Sequence, residues 1–163
     1  MSRAPQHVQP AGDAFLAIQK LARQTHADVQ ELLMLYALEG LTARVGASRY
    51  REEFVLKGGV LLAAFSLRRP TKDVDLQATG LANDVDKVLA RVRELAAIDL
   101  GDGLVFDLNE VRGHTIREDN GYPGVRVRLP VALGKARLTI GIDVNFGDPI
   151  WPAPTEIDLP RLI

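Results

Sequence analysis

The sequence predicts an α/β (α+β) domain in which helices come first and a mixed sheet with helices against it follows. Two observations predict it. Apolar residues recur at helical spacing in two segments before Ser48, and again after Asn83. Polar and apolar residues alternate strictly through Asp73-Val74-Asp75-Leu76 and from Arg137 to Phe146, the pattern of half-buried strands.

The elements are read in chain order. Residues 1–12 carry Pro5, Pro10 and Gly12 and are expected to form a flexible arm ahead of a single domain over 13–163. Asp13 suits the cap of a first helix running to about Arg23, with Phe15, Ile18 and Leu21 at helical spacing. Thr25-His26-Ala27-Asp28 resembles a capping box and opens a longer helix, with Val29, Leu32, Leu33, Tyr36 and Leu41 on one stripe. Gly46 and Ser48 suit its end.

Phe54-Val55-Leu56 is a short apolar strand leading into Lys57-Gly58-Gly59, and the run VLLAAFSL after the glycines reads as a buried helix stopped before Pro70. A strand over Asp73 to Leu76 follows. Asn83 suits the cap of a helix whose apolar face is Val85, Val88, Leu89, Val92 and Leu95. Strands are then expected at Leu104 to Leu108, Val125 to Leu129 and Arg137 to Asn145, with Gly134-Lys135 turning a hairpin between the last two.

Composition bounds the function classes. The chain has 163 residues, 47% apolar and 25% charged, which is ordinary for one globular domain. It has no cysteine, which excludes disulfides, thiolate metal sites and a cysteine nucleophile. Neither a secretory h-region nor an apolar run of spanning length occurs, so a cytoplasmic protein without membrane association is expected. With 20 Lys plus Arg against 21 Asp plus Glu, non-specific grip on long duplexes is not expected. A short or structured RNA held by a local basic patch remains open.

The residue types that carry chemistry lie at three places. Asp73 and Asp75 leave the same face of their strand, and two such carboxylates supply the hard oxygens that Mg²⁺ shares with substrate phosphates and water. A D-x-D pair by itself usually just marks a solvated strand face. Gly58-Gly59, between a strand and a helix, let backbone N–H groups approach a phosphate without a Cβ in the way, although an isolated pair more often is simply a tight connection. Lys57 adds a point charge there, or is a solvated turn lysine. Asp143 falls on the polar face of the last strand, where a third carboxylate serves as a base in two-metal phosphoryl transfer, or simply meets solvent. Arg126 and Arg128 share one strand face and, with Lys135 and Arg137 and with Arg112, His114 and Arg117, are candidates for RNA phosphates.

The blocks Lys57-Gly58-Gly59 and Arg69-Pro70-Thr71-Lys72-Asp73-Val74-Asp75-Leu76, with Ile142-Asp143-Val144-Asn145-Phe146-Gly147-Asp148, resemble the AbiEii family of nucleotidyltransferase-like toxins from abortive-infection and toxin–antitoxin systems. The resemblance implies a DNA polymerase β-like nucleotidyltransferase core. It implies a Mg²⁺-dependent transfer of a nucleotide from an NTP to the tRNA 3′ end, which blocks translation, and a cognate antitoxin partner. By matching position, Gly58 and Gly59 would bind triphosphate, Asp73 and Asp75 would hold metal, and Asp143 would be a further acidic group. Val60 stands where the family often has Ser or Thr. The chain stops at Leu159-Pro160-Arg161-Leu162-Ile163, where the family usually continues into a helical half. A catalytically inactive remnant or interaction module is therefore one alternative, and a Mg²⁺-dependent nuclease another. The glycine turn favours NTP use over hydrolysis.

Overall fold

A computed structural model of the chain describes residues 9–57, 71–117, 121–147, 154–156 and 158–163. The glycine turn at Gly58-Gly59 and the helix expected after it lie outside those residues. Two helices lead: α1 spans Pro10–Thr25 and α2 spans Val29–Ala47. A single 3-10 turn, Arg51–Glu53, feeds β1, Phe54–Lys57. Then come β2, Asp73–Ala78; α3, Val85–Ala96; β3, Leu104–Phe106; β4, Arg112–Arg117; β5, Pro123–Leu133; and β6, Ala136–Asn145.

The helix ends follow capping chemistry, each shifted slightly from the sequence reading. α1 begins at Pro10 with Gln9 as its cap, because proline suits the first helical turn, where its missing N–H costs nothing. Asp13 therefore sits in the first turn, where its charge favours the helix dipole, and is not the cap. Thr25 closes α1, His26 takes a left-handed φ of 55°, and Asp28 caps α2 by accepting from the Gln30 and Glu31 N–H groups at 2.7 and 3.1 Å. The box thus opens three residues later than expected. Likewise Asp84, not Asn83, caps α3, accepting from the Lys87 N–H at 3.1 Å.

Among the described residues six strands form one mixed sheet in the order β1-β2-β6-β5-β3, with β4 also paired to β5. Of their pairings β2 with β6 is parallel and the others are antiparallel. β5 and β6 make the long hairpin expected from Gly134-Lys135, with Leu133 opposite Ala136 and Gly134 at φ +59°. β4 was not evident in the sequence. Its run Arg-Gly-His-Thr-Ile-Arg lacks alternating apolar residues because it covers only the first half of β5 and its side chains are mostly exposed.

One face of the sheet carries the core. Val74 and Leu76, Val125, Val127 and Leu129, and Ile140, Ile142 and Val144 are all buried on it. Leu33, Ala37, Leu38 and Leu41 of α2, Val88, Val92 and Leu95 of α3, and Ala14 and Ile18 of α1 close over them in one cluster. Burying each such side chain contributes about 1.5–3 kcal/mol. α2 is buried on more than a single stripe because α1, α3 and the sheet all touch it.

Within this layer sits one charged cluster. Arg44 of α2 is 1% exposed and donates to both Asp102 carboxylate oxygens at 2.6 and 2.9 Å, and to the Ile98 and Gly40 carbonyls. Its guanidinium also lies over the Phe106 ring, 4.9 Å from the centroid. The cluster ties α2 to the loop that enters β3. Burial pushes the Asp102 carboxyl up, but hydrogen bonds from Arg44 and the Leu104 N–H, together with the Arg44 charge, outweigh it, and its pKa falls below 3.8.

A depressed folded pKa gives stability that is complete above the unfolded value and is lost as pH falls through the folded one. Urea unfolding of the wild type should therefore weaken as the pH drops below about 4, and Asp102→Asn should flatten that acid-side slope. At pH 7, Asp102→Ala should cost about 3 kcal/mol because it strands a buried guanidinium. A wild-type slope unchanged in Asp102→Asn would refute this account.

Candidate functional site

The second face of the sheet is polar, and strand register decides which residues meet there. Directly opposed residues point to the same side of a sheet. Asp75 pairs with Asp143 across the parallel β2–β6 ladder, and Asp143 pairs with Arg126 across β5. Lys57 on β1 and His114 on β4 extend this row at its two ends. A second row runs Asp73, Gly141, Arg128, Arg112. A third joins Gln77, Asn145 and Gly124. The three acidic residues picked from the sequence therefore lie on one face, on neighbouring strands.

The side chains do not simply point at solvent. Arg126 takes Asp143 side-on, with Nε and Nη2 donating to its two carboxylate oxygens at 2.9 Å each. Asp143 is 7% exposed. The hydrogen bond and charge of Asp143 raise the Arg126 pKa above its ordinary value; burial opposes them, and the charges of Asp73 and Asp75 add smaller increases. The field of all three carboxylates thus converges on this guanidinium.

Asp73 is held differently. Its Oδ1 is buried and has no hydrogen-bond partner, while Arg128 Nη1 stands 3.6 Å away, beyond hydrogen-bonding range. The two meet over Gly141. A Cβ at that position would lie 1.8 Å from Asp73 Oδ1 and 3.3 Å from Arg128 Nη1. A glycine inside a strand marks such a close approach, and it was visible in the sequence as the one residue without a side chain on the polar face of β6. Thr71 fixes the start of β2 by donating from Oγ1 to the Asp73 carbonyl at 3.1 Å.

A buried carboxylate oxygen that accepts no hydrogen bond, with a guanidinium only at 3.6 Å, keeps acceptor capacity for a further cation. Asp73 with Asp75 beside it on the same strand face fits a hard divalent ion whose remaining ligands come from phosphate and water. Among the described residues no set of three or more His, Asp or Glu side chains is arranged to hold a metal. Asp143, the third carboxylate, is engaged by Arg126.

The remaining candidates divide. Arg126, Arg128, Arg112 and His114 share the polar face, whereas Arg117 falls on the alternate face of β4. Lys135 and Arg137 are exposed at the far end of the β5–β6 hairpin, six or more residues from Asp143, which is about 20 Å along a strand. They do not join the carboxylates. Lys57 ends β1 opposite Asp75, and Gly58 and Gly59 lie outside the described residues. Two side chains were not among the candidates read from the sequence: Gln77 and Asn145, buried beside the acidic rows with amide oxygens that accept no hydrogen bond.

Gly141→Ala should displace the Asp73 carboxylate while the hairpin stays paired, since its collision is with side chains. We expect Mg²⁺ affinity measured by titration calorimetry to fall about tenfold, as when a supporting group of a metal site is lost. An unchanged affinity in the folded variant would show that Gly141 does not set the position of Asp73.

Comparison with known proteins bears on this face. No curated protein matches the chain. Two solved structures from Helicobacter pylori are similar to it. JHP933 aligns at 18% identity and a TM-score of 0.47 over 77% of this chain and 47% of that one. A protein provisionally described as a nucleotidyltransferase aligns at 20% identity and a TM-score of 0.48 over 77% of this chain and 49% of that one. The chain thus spans about half the length of these structures. Among its described residues no helix is long and apolar enough to cross a membrane. The profile of the family described as "Nucleotidyl transferase AbiEii toxin, Type IV TA system" matches residues 41–163, a span that holds every strand of the sheet and all three acidic candidates, and the chain belongs to that family.

Proposed function

We propose that this chain is a toxin-type nucleotidyltransferase that moves a nucleotide from an NTP, with Mg²⁺, onto the 3′ end of tRNA and so blocks translation. The observation that carries the reading is the face shared by Asp73 and Asp75, with an Asp73 oxygen that accepts no hydrogen bond, inside a domain of the AbiEii family. Membership of a toxin–antitoxin family also supports a cognate antitoxin as protein partner.

In this reading Asp73 and Asp75 hold Mg²⁺, which when bound would neutralise phosphate charge and favour departure of pyrophosphate. Lys57, which ends β1 opposite Asp75, and Gly58 and Gly59, which follow it in the sequence, are assigned to the triphosphate. Asp143 supplies negative charge in the same row, and Arg126 and Arg128 line the side of the face away from β1. Asp73 and Asp75 anchor the nucleotide end, so the β5 arginines are placed to meet further phosphates, of the nucleotide or of an RNA acceptor. The sheet fixes these groups on paired strands, which is the rigid placement that phosphoryl transfer relies on.

The test is to incubate the purified chain with tRNA, Mg²⁺ and each labelled NTP in turn. Label should appear at the tRNA 3′ end, and Asp73→Ala should lower its incorporation by at least about 100-fold, the scale of losing a metal's charge stabilisation. Shortened tRNA without added NTP would replace transfer with nuclease activity. No incorporation by the folded chain, beside incorporation by a longer form, would remove activity from this segment alone.

A further inference from the structure

We infer that Asp143 is a positioning residue that holds the Arg126 guanidinium ready for a phosphate oxyanion. Only the identity of that phosphate, NTP or RNA acceptor, rests on the nucleotide-transfer reading. The contact itself is the first ground. Both oxygens of Asp143 are taken, side-on, by Nε and Nη2 at 2.9 Å, so the carboxylate is oriented toward Arg126 and not toward a reacting hydroxyl. A base must have a lone pair within reach of the proton that it abstracts.

The second ground is the difference in exposure across the pair. The Asp143 side chain is 10% exposed, and that of Arg126 is 39% exposed. The acid is sunk in the sheet face and the guanidinium projects from it. Nη1 takes no part in the contact with Asp143, and it carries two donors on the outer edge of a planar fork suited to phosphate. A long side chain locked by two hydrogen bonds also loses less rotamer freedom when a ligand arrives.

Register supplies the third ground. Arg126 lies in the same cross-strand row as Asp75, two strands away through Asp143, or about 10 Å between backbones. A phosphate bound near Asp75 is thus within the sweep of a fixed arginine. Arg128, by contrast, is 51% exposed and makes no hydrogen bond with Asp73 at 3.6 Å, so it lacks a comparable anchor there.

Inorganic tripolyphosphate without metal is the probe, measured by titration calorimetry on the full chain. Positioning and simple charge make opposite predictions. Removing a negative charge beside an anion site should tighten binding if charge alone mattered. If Asp143 positions Arg126, Asp143→Ala should weaken binding about tenfold and Asp143→Asn less, because the amide keeps one acceptor. Arg126→Gln should weaken it at least as much, and Asp143→Ala added to Arg126→Gln should cost nothing further. Thermal melts establish that each variant is folded, and Arg126→Gln, at a half-exposed position, keeps the test available if Asp143→Ala does not fold. Unchanged or tighter binding in Asp143→Asn, additive losses in the double variant, or no binding by the folded wild type would each overturn the inference. Tripolyphosphate binding without nucleotide transfer would overturn the transfer reading and leave this inference standing. In a chain that transfers, a raised KM for NTP or for tRNA tells which phosphate Arg126 meets.

Discussion

The parallel pairing of β2 with β6 is the constraint on which the candidate site depends. β2 and β6 are far apart in sequence, and only their ladder places Asp75 beside Asp143 and Asp73 beside Gly141. Because side chains alternate with period two, a slip of one residue would turn the carboxylates into the core and Val74 outward. The core forbids that slip. Val74, Ile142 and Val144 are each no more than 1% exposed on the helix-covered face. The hydrophobic pattern therefore sets the geometry of the charges.

The arginines of β5 are a second consequence of the same register. Three carboxylates on adjacent strands repel one another, and an isolated buried carboxylate carries a large desolvation cost. β5 answers this by presenting Arg126 to Asp143 and Arg128 toward Asp73 from the side opposite β1. The two contacts are unequal: one is a closed bidentate pair, and the other leaves an acceptor without a donor. That inequality separates a carboxylate committed to a protein partner from one with coordination capacity to spare.

Much of this was legible from residues alone, and the reasons are specific. The alternation from Arg137 to Phe146 fixed both faces of β6, and the periodicity of Val85 to Ala96 fixed the buried side of α3. Two carboxylates at i and i+2 could be placed on one face for the same reason. What escaped was whatever depends on non-local pairing. β4 has no apolar alternation because its support comes from β5 rather than from burial. The Arg126–Asp143 pair joins residues 17 apart through a hairpin register that turn chemistry suggests but does not count out. Helix starts shifted by one to four residues because several neighbouring side chains compete to cap and a proline can open a first turn, and tertiary packing selects among them.

Gly141 shows how a missing side chain can shape a charged site. In an interior strand position glycine weakens the strand, so its presence between Ile140 and Ile142 works against the stability that its neighbours supply. The gap that it leaves is filled by Asp73 from one side and by Arg128 from the other. Any larger residue would push the two charges apart and move Asp73 out of line with Asp75. The local stability given up at Gly141 is thus exchanged for the position of one carboxylate, which makes the glycine part of the site rather than part of the strand.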